Sequence, residues 1–295
     1  MNGADMKEDR DVAVIGCGLM GSALARALAR NGFSVAAWNR TFERAEALAG
    51  DGVTPVADIA EAVGPAPMVL ACTATYETTR SALESIEDWA GKTLINVGTS
   101  TPEDAEEMER WATGRGAAYL DGAIICYPPE IGTAKALILY SGSPEVWREY
   151  EETLMTLAGG SRHVSERVGN ASVLDGGIVG VFASAALAAF VEAATYVLGQ
   201  GVPAEVLDEL TAMSLAVMNL NTHEAIVAIE NDEHETHTAT ISTYAAGIRA
   251  FLPSIQAAGI NARFTEATLK NLDEAEAAGL GELGFYAQTK IARGS

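Results

Sequence analysis

The sequence has few positive charges and few cysteines, and each scarcity excludes a class of protein. Of its 295 residues, 19 are Lys or Arg and 40 are Asp or Glu, which leaves a formal net charge of −21. Proteins that bind nucleic acid or anionic lipid need clustered positive charge, so neither class fits this chain. Three scattered cysteines, Cys17, Cys72 and Cys126, are too few for a disulfide framework.

The N-terminal sequence MNGADMKEDRD contains no apolar stretch, so we do not expect it to act as a signal peptide. We expect residues 1–10 to form a disordered extension. The 48% hydrophobic content of the chain is sufficient for a substantial core. Together these features predict an acidic, cytoplasmic globular protein whose partner is a small molecule or another protein.

One segment has the length of a membrane span. Between Gly176 and Ala204 the sequence carries one formal charge, Glu192, and a span needs about 20 apolar residues. The segment is rich in Gly and Ala, however, and lacks the flanking Lys or Arg and the aromatic belts of a span. A helix that is apolar on all sides and outside a membrane is buried in protein. We therefore predict no membrane insertion, and we predict that this helix is the centre of a large interface.

Apolar runs alternate with helical patterns in the first half of the chain. We predict strands at 11–15, 33–38, 68–72, 93–97, 118–120 and 136–141, and helices at 19–31, 40–49, 58–63, 77–86 and 102–115. Strands that alternate with helices are typical of a doubly wound, mainly parallel sheet. The first domain is thus predicted to be α/β and to cover residues 11–165.

Beyond about Val164, helical periodicity dominates the sequence. We predict helices at 168–199, 204–221, 223–230, 236–258 and 265–278, which makes the second domain, 166–295, all-α. His234 and His237 lie in an acidic stretch of this domain. A metal site needs three or four ligands in fixed geometry, so we interpret the stretch as a solvated turn and expect no metal.

The strongest motif follows the first predicted strand. It is a GxGxxG sequence formed by Gly16, Cys17, Gly18, Leu19, Met20 and Gly21. Alone the motif is weak, but here a strand precedes it, an amphipathic helix follows it, and a second strand comes next, as in Rossmann dinucleotide-binding domains. The first glycine permits the tight turn, the second lets the backbone approach a pyrophosphate, and the third allows close helix–strand packing. The alternative is an ordinary glycine-rich turn.

The end of the second strand predicts which cofactor binds. NAD enzymes usually have Asp or Glu at this position to bind the ribose hydroxyls. This chain has Asn39, Arg40 and Thr41 there, and Arg44 lies one turn into the next helix. Because guanidinium groups bind phosphate in a bidentate manner, these residues favour the 2′-phosphate of NADP. The alternative is that both arginines are solvated surface residues.

Further polar residues follow other predicted strands, at the edge where α/β sheets bind ligands. Cys72, Thr73 and Ala74 come after one strand, and Thr99 comes after the next. We expect these four residues to line the cofactor. Tyr127 either borders the substrate cleft or is a packing aromatic in the core.

Four segments in this order resemble the β-hydroxyacid dehydrogenase superfamily, which is 6-phosphogluconate dehydrogenase-like, and more narrowly the imine reductases. They are GCGLMGSALARAL, WNRT, NVGTSTP and DGAIICYPPEIGTAKALILYSG. The resemblance implies a Rossmann domain, a long interdomain helix and a helical C-terminal domain. It also implies a homodimer with exchanged helical domains, in which each active site lies at the subunit interface.

One position separates the two groups of enzymes. β-Hydroxyacid dehydrogenases carry a catalytic lysine in a stretch similar to VGxGxxxK, and the matching stretch here, VGNASVLD, ends in Asp175. Without the lysine, alcohol oxidation loses its expected proton acceptor. Imine reductases commonly carry Asp or Tyr there, so the resemblance implies that Asp175 is catalytic.

We therefore predict NADPH-dependent reduction of an imine or iminium C=N bond, and both a secondary-metabolite imine and simple cyclic imines are candidate substrates. A carboxyl in an apolar cleft has a raised pKa and can donate a proton to the substrate nitrogen. Alternatively, an ionised Asp175 anchors an iminium that is already protonated. Two other functions stay open: an alcohol or carbonyl oxidoreductase of the hydroxyacid dehydrogenase type, and a catalytically silent NADP-binding dimer.

Overall fold

A computed structural model describes residues 10–293. The predicted disordered extension lies outside these residues except for Arg10. The chain divides into two compact units, one up to Phe182 and one from Ala183 onward. The boundary predicted from the sequence lies after residue 165, whereas the two units divide after Phe182, inside a continuous helix. The reason is that the start of this helix, including Ala171 and Ser172, is buried within the first unit.

The first unit contains an eight-stranded sheet with the order β3-β2-β1-β4-β5-β6-β7-β8. All neighbouring strands are parallel except β6 and β7, so the predicted mainly parallel, doubly wound sheet is confirmed. The strands are β1 (Val12–Ile15), β2 (Val35–Trp38), β3 (Val53–Val56), β4 (Met68–Ala71), β5 (Thr93–Asn96), β6 (Ala118–Ile124), β7 (Ile138–Gly142) and β8 (Arg162–Ser165).

Helices cover both faces of this sheet and bury two separate apolar clusters against it. The helix α5 has a strong start signal: Thr101 and Asp104 form a reciprocal capping box, and Pro102 occupies the first turn. The helices of this unit are α1 (Leu19–Arg30), α2 (Phe42–Glu46), α3 (Ile59–Val63), α4 (Tyr76–Leu83), α5 (Pro102–Thr113), α6 (Pro144–Leu157) and α7 (Asn170–Leu174).

Three elements of this unit are absent from the sequence prediction. The strands β3 and β8 have four residues each and lie at the two edges of the sheet. Pro55 interrupts the β pattern of β3, and an edge strand tolerates it because one side of the strand needs no ladder hydrogen bonds. The helix α6 is preceded by Ser143, which caps it, and begins with Pro144. Ser143 and Pro144 are a helix start signal visible in the sequence, although no helix is predicted there.

The second unit is all-helical, as predicted. Its helices are α8 (Ser184–Gly199), α9 (Ala204–Asn231), α10 (Ile241–Ala257), α11 (Arg263–Ala277) and α12 (Thr289–Ala292). The helix α9 is continuous, and the two shorter helices predicted in its place are wrong. Asn221 and Thr222 at the predicted break have low helix propensity, but such propensities are weak and other interactions override them.

A π-helical segment joins α7 to α8 and runs from Asp175 to Ala183. We call the continuous stretch Asn170–Gly199 the long helix. Among the described residues, this helix alone has the length and the composition of a membrane-spanning helix, with a mean hydropathy of 1.9. None of that apolar window is buried within the chain. The predicted burial of this helix is therefore not achieved by a single chain.

Glu192, the one charge in the apolar part of the long helix, caps the start of α11. Its carboxylate accepts hydrogen bonds from the backbone N–H groups of Phe264 (2.9 Å) and Thr265 (3.0 Å) and from the Thr265 hydroxyl (2.7 Å). Burial raises the pKa of Glu192, but these bonds and one from the backbone of Arg263 lower it further, so it lies below its ordinary value. The Glu192 carboxylate is thus already hydrogen-bonded within the chain.

His234 is buried, so its predicted place in a solvated turn is wrong. Its Nε2 lies 3.0 Å from Oδ1 of Asp232, which ends α9 in the left-handed conformation and also accepts from Lys290 of α12. Among residues 10–293, no three His, Cys, Asp or Glu side chains are grouped so that they could hold a metal ion.

Candidate active site

The glycine motif lies between β1 and α1, where the sheet order reverses direction between β1 and β4. Gly16 has a φ of +103°, and a Cβ there would collide with the carbonyl oxygen of Cys72. A Cβ on Gly21 would collide with the carbonyl oxygen of Gly16. A Cβ on Gly18 would meet no atom of the chain within 4 Å. The first and third glycines therefore serve the fold, while Gly18 leaves open space beside the backbone.

This open space lies at the N-terminus of α1. Gly18 is the N-cap residue of α1, and no side chain caps the first turn. Leu19 is 86% exposed, so its side chain projects into solvent and does not pack over the N–H groups of the first turn. Free N–H groups and the helix dipole make such an end an anion site. The residues fit a dinucleotide pyrophosphate, which would approach the backbone at Gly18.

We expect Gly18→Ala to keep the melting temperature of the protein while weakening NADPH binding by about tenfold, because the added methyl fills the space next to the phosphates. Gly21→Ala is the matched control, and we expect it to lower the melting temperature because its Cβ collides with backbone. Thermal melts and NADPH titration measure the two effects. Unchanged NADPH affinity in a folded Gly18→Ala protein would show that the cofactor does not approach this glycine.

The turn after β2 contains the four residues predicted to select the cofactor. Both ends of the Asn39 amide are used within the protein: Oδ1 accepts from the backbone N–H of Cys17 (3.0 Å), and Nδ2 donates to the Thr41 carbonyl (2.9 Å). Asn39 therefore ties the glycine loop to this turn. Arg40, Thr41 and Arg44 are exposed, and neither arginine has an ion-pair partner within residues 10–293. Two guanidinium groups are thus available to an incoming phosphate.

Cys72, Thr73 and Ala74 follow β4, and Thr99 follows β5, so the predicted lining residues share the carboxyl edge of the sheet with the glycine loop. The Thr73 hydroxyl donates to the carbonyl of Thr75 (2.8 Å) and lies 2.8 Å from the Thr79 hydroxyl. Thr99 is exposed. These positions match a nucleotide that lies across the ends of β1, β4 and β5.

The thiols of Cys17 and Cys72 lie beside this loop and stay protonated. Burial raises the pKa of Cys17 to about 11, and its thiol lies 3.5 Å from the carbonyl oxygen of Trp38. Burial and the neighbouring Cys17 raise the pKa of Cys72 to about 12. Because the thiolate is the reactive form, these cysteines form part of the wall of the site and are not nucleophiles.

Tyr127 follows β6 and is 79% exposed, so within one chain it is not a packing residue of the core. Its backbone N–H donates to Oε2 of Glu130 (2.7 Å), which fixes the local turn. The phenol is free to contact a ligand, and its place beside the substrate stays a prediction.

Asp175 begins the π-helical segment of the long helix. It is half-buried, while its neighbours Val173 and Leu174 are exposed. Within residues 10–293, its carboxyl has no hydrogen-bond or ion-pair partner. Burial raises the pKa of Asp175, because a partly desolvated carboxyl favours its neutral form. The raised pKa favours the protonated carboxyl, and no other group of the described chain forms a hydrogen bond with it.

A buried polar cluster that is not predicted from the sequence consists of Asp121, Tyr76, Tyr119 and Ser172, and we call it the Asp121 cluster. Asp121 lies in the middle of β6 and has no exposed surface. Its carboxylate accepts from Tyr76 (2.5 Å), Tyr119 (3.3 Å) and Ser172 (3.5 Å). Burial raises its pKa to about 6, although the three hydrogen bonds oppose this effect. A lone Asp in an otherwise apolar strand, AYLDGAI, was the available signal.

Known proteins match both parts of the chain. Residues 11–169 match the NAD binding domain of 6-phosphogluconate dehydrogenase, and residues 168–294 match the C-terminal domain of NADPH-dependent reductive aminase-like proteins. An NADPH-dependent reductive aminase from Aspergillus oryzae is 31% identical over 179 residues, which are 59% of this chain. That match spans 60% of the curated relative's length.

Two solved structures resemble the whole described fold. An imine reductase from Myxococcus stipitatus in complex with NADP+ has a TM-score of 0.87 and 27% identity, over 95% of this chain and 99% of that one. An imine reductase from Aspergillus terreus in complex with NADPH4 and dibenz[c,e]azepine has a TM-score of 0.90 and 25% identity, over 96% of this chain and 99% of that one. By these domain matches and structures, the chain belongs to the imine reductase and reductive aminase family of the 6-phosphogluconate dehydrogenase-like superfamily.

Proposed function

We propose that this protein reduces an imine or iminium C=N bond to an amine with NADPH. The observation that carries the proposal is Asp175: a half-buried carboxyl with a raised pKa and no partner within the described chain, at the position where related dehydrogenases have lysine. The open glycine loop and the two unpaired arginines after β2 support NADPH as the cofactor.

The chemistry needs a hydride at carbon and a proton at nitrogen. NADPH supplies the hydride when it is bound. A C=N bond accepts hydride far more readily once its nitrogen is protonated, so a proton donor beside the nitrogen lowers the barrier. Asp175 gives its proton to the nitrogen of a neutral imine, becomes a carboxylate, and regains a proton from water. With a substrate that arrives as an iminium, the ionised Asp175 holds the positive nitrogen in place.

An assay with three arms tests this function. NADPH consumption is followed by absorbance with dibenz[c,e]azepine, with a keto acid, and with no substrate. We expect turnover with the cyclic imine alone. Turnover with the keto acid alone would identify an alcohol or carbonyl oxidoreductase instead, and cofactor binding without turnover in any arm would identify a silent NADP-binding protein.

We further propose that the long helix is covered by a second copy of the chain. Large apolar side chains are exposed along it, among them Ile178, Val181, Leu187 and Val191. The Glu192 carboxylate already caps α11, so its charge is satisfied within the chain and does not oppose burial of the apolar surface around it. The net charge of −21 and the acidic start of α9 disfavour an anionic membrane as the covering partner. Each active site would then be completed at the subunit interface.

We expect the protein to sediment as a homodimer at assay concentration, and Leu187→Lys to shift it towards the monomer. Leu187 is 65% exposed in the single chain, and a lysine there would place a charge in the apolar interface. Met155→Lys on α6 is the matched control, since Met155 is also exposed and apolar, and it should stay dimeric. An active, monomeric wild-type protein would contradict the proposal.

A further inference from the structure

The Asp121 cluster connects the centre of the sheet to the first turn of the long helix. Asp121 pairs with Asn96 of β5 and Ser141 of β7 in the strand register, so backbone hydrogen bonds hold it on both sides. The Ser172 hydroxyl, in α7, lies 3.5 Å from Oδ2 of this carboxylate and also interacts with Tyr76 of the same cluster. The next residue back also contacts the sheet, because the backbone N–H of Ala171 donates to the Ser141 hydroxyl at 3.1 Å. Two neighbouring residues of the helix are thus bound to two neighbouring strands.

The same helix turn has further restraints. Its N-cap, Gly169, has a φ of +89°, and a Cβ there would meet the backbone of Pro102 at 2.9 Å. Asn170 donates to the Ser165 hydroxyl at 2.7 Å, which ties the start of α7 to the end of β8. The start of the long helix is therefore held from several directions before the π-helical segment begins. Asp175 is the first residue of that segment and lies three residues after Ser172.

We propose that Asp121 is a positioning residue for Asp175: its buried carboxylate, through the Ser172 hydroxyl, fixes the helix turn from which the Asp175 side chain extends. The inference rests on the proposed function, because it assigns Asp121 a role through the catalytic carboxyl. Residues three apart on a helix lie on neighbouring positions of one face, so a rotation of the helix at Ser172 moves Asp175 with it.

Simple core packing does not account for the cluster. A buried carboxylate loses solvation, and apolar residues of similar volume stabilise a core equally well or better. What a satisfied polar network adds is a fixed geometry, since each hydrogen bond has a preferred length and direction. The titratable groups that act on the Asp121 carboxyl are Tyr76, Tyr119 and, at longer range, Glu109. Hydrogen bonds with Ser172 and Tyr119 also lower the pKa of Tyr76, against burial and Asp121, which raise it.

The first test compares single variants of the purified full-length protein with dibenz[c,e]azepine and NADPH. We expect Ser172→Ala to lower kcat about 10- to 100-fold, the effect of a small misplacement of a catalytic group, while NADPH affinity stays unchanged. Tyr119→Phe is the matched control, because it removes a hydroxyl from the cluster but no link to the helix, and we expect kcat close to wild type. Asp121→Asn should lower kcat about as much as Ser172→Ala does. The kcat of the double variant should be no lower than that of the less active single variant, because both changes act through the same contact.

The second test repeats Ser172→Ala in the Asp175→Asn background. If Ser172 acts through Asp175, the second change has no further effect on kcat there. An equal fold-loss in both backgrounds, or a Ser172→Ala protein with wild-type kcat, would overturn the positioning role. The proposed function is judged separately: no turnover of dibenz[c,e]azepine by the wild-type protein refutes it, together with this inference. Wild-type activity in Asp175→Asn refutes the catalytic role of Asp175 and with it this inference, whereas loss in Asp175→Asn with full activity in Ser172→Ala refutes this inference alone.

Discussion

We expect Asp175→Ala to lower imine reduction by about 10²- to 10⁴-fold, the range that a positioned general acid contributes. The expectation follows from a carboxyl whose pKa burial raises and that no other described group engages. Asp175→Asn should be nearly as damaging, because an amide neither donates an acidic proton nor carries a charge. NADPH affinity should barely change in both variants. Steady-state kinetics and cofactor titration measure the two quantities independently.

The pH dependence separates the two roles of Asp175. Its pKa is raised, so the protonated form persists to higher pH than in a free aspartate. If Asp175 donates the proton, activity on a neutral imine falls as the pH rises through that raised pKa. If it anchors an iminium, a permanently cationic N-alkyl iminium is reduced well at high pH and still needs Asp175. Near-full activity of Asp175→Ala on both substrates would mean that the residue is structural.

We expect Arg40→Ala to reduce the preference for NADPH over NADH by about 10- to 150-fold, because one charge-assisted contact to a 2′-phosphate contributes about 1.5–3 kcal/mol. Arg40 is exposed after β2 and has no ion-pair partner in the described chain, so no internal contact competes for its guanidinium. The measurement is kcat/KM with each cofactor.

Arg148→Ala serves as the control for this experiment. Arg148 lies on α6 and pairs with Glu145 of the same helix, so its loss removes an exposed arginine away from the turn after β2. We expect the cofactor preference of this variant to equal that of the wild type. Equal efficiency of the wild-type enzyme with NADPH and NADH would contradict the assignment of the two arginines.

The sheet and its glycine loop could be predicted because their signals are local. Each central strand is a short apolar run, and the glycine motif stands between a strand and a helix within one βαβ unit. The short edge strands β3 and β8 lack such runs, and Pro55 hides the first of them. The π-helical segment carries no distinguishing period, because its residues are apolar or glycine throughout apart from Asp175. Its location therefore came from the structure alone.

The Asp121 cluster could not be assembled from the sequence, because its members are far apart along the chain. Tyr76 lies 45 residues before Asp121, and Ser172 lies 51 residues after it. Only the strand order and the return of the chain to the long helix bring them together. Asp175, in contrast, could be identified from its position in a motif, but its lack of a partner in the described chain required the structure.

The two cysteines at the glycine loop, the buried Cys17 and the half-buried Cys72, have a consequence for chemical resistance. With pKa values of about 11 and 12, the thiols of Cys17 and Cys72 are ionised to about one part in 10⁴ or less at pH 7. Oxidation to sulfenic acid and alkylation both proceed through the thiolate and need access to the sulfur. The loop that approaches the cofactor phosphates thus contains sulfur that is expected to react only slowly with peroxide and with thiol reagents at neutral pH.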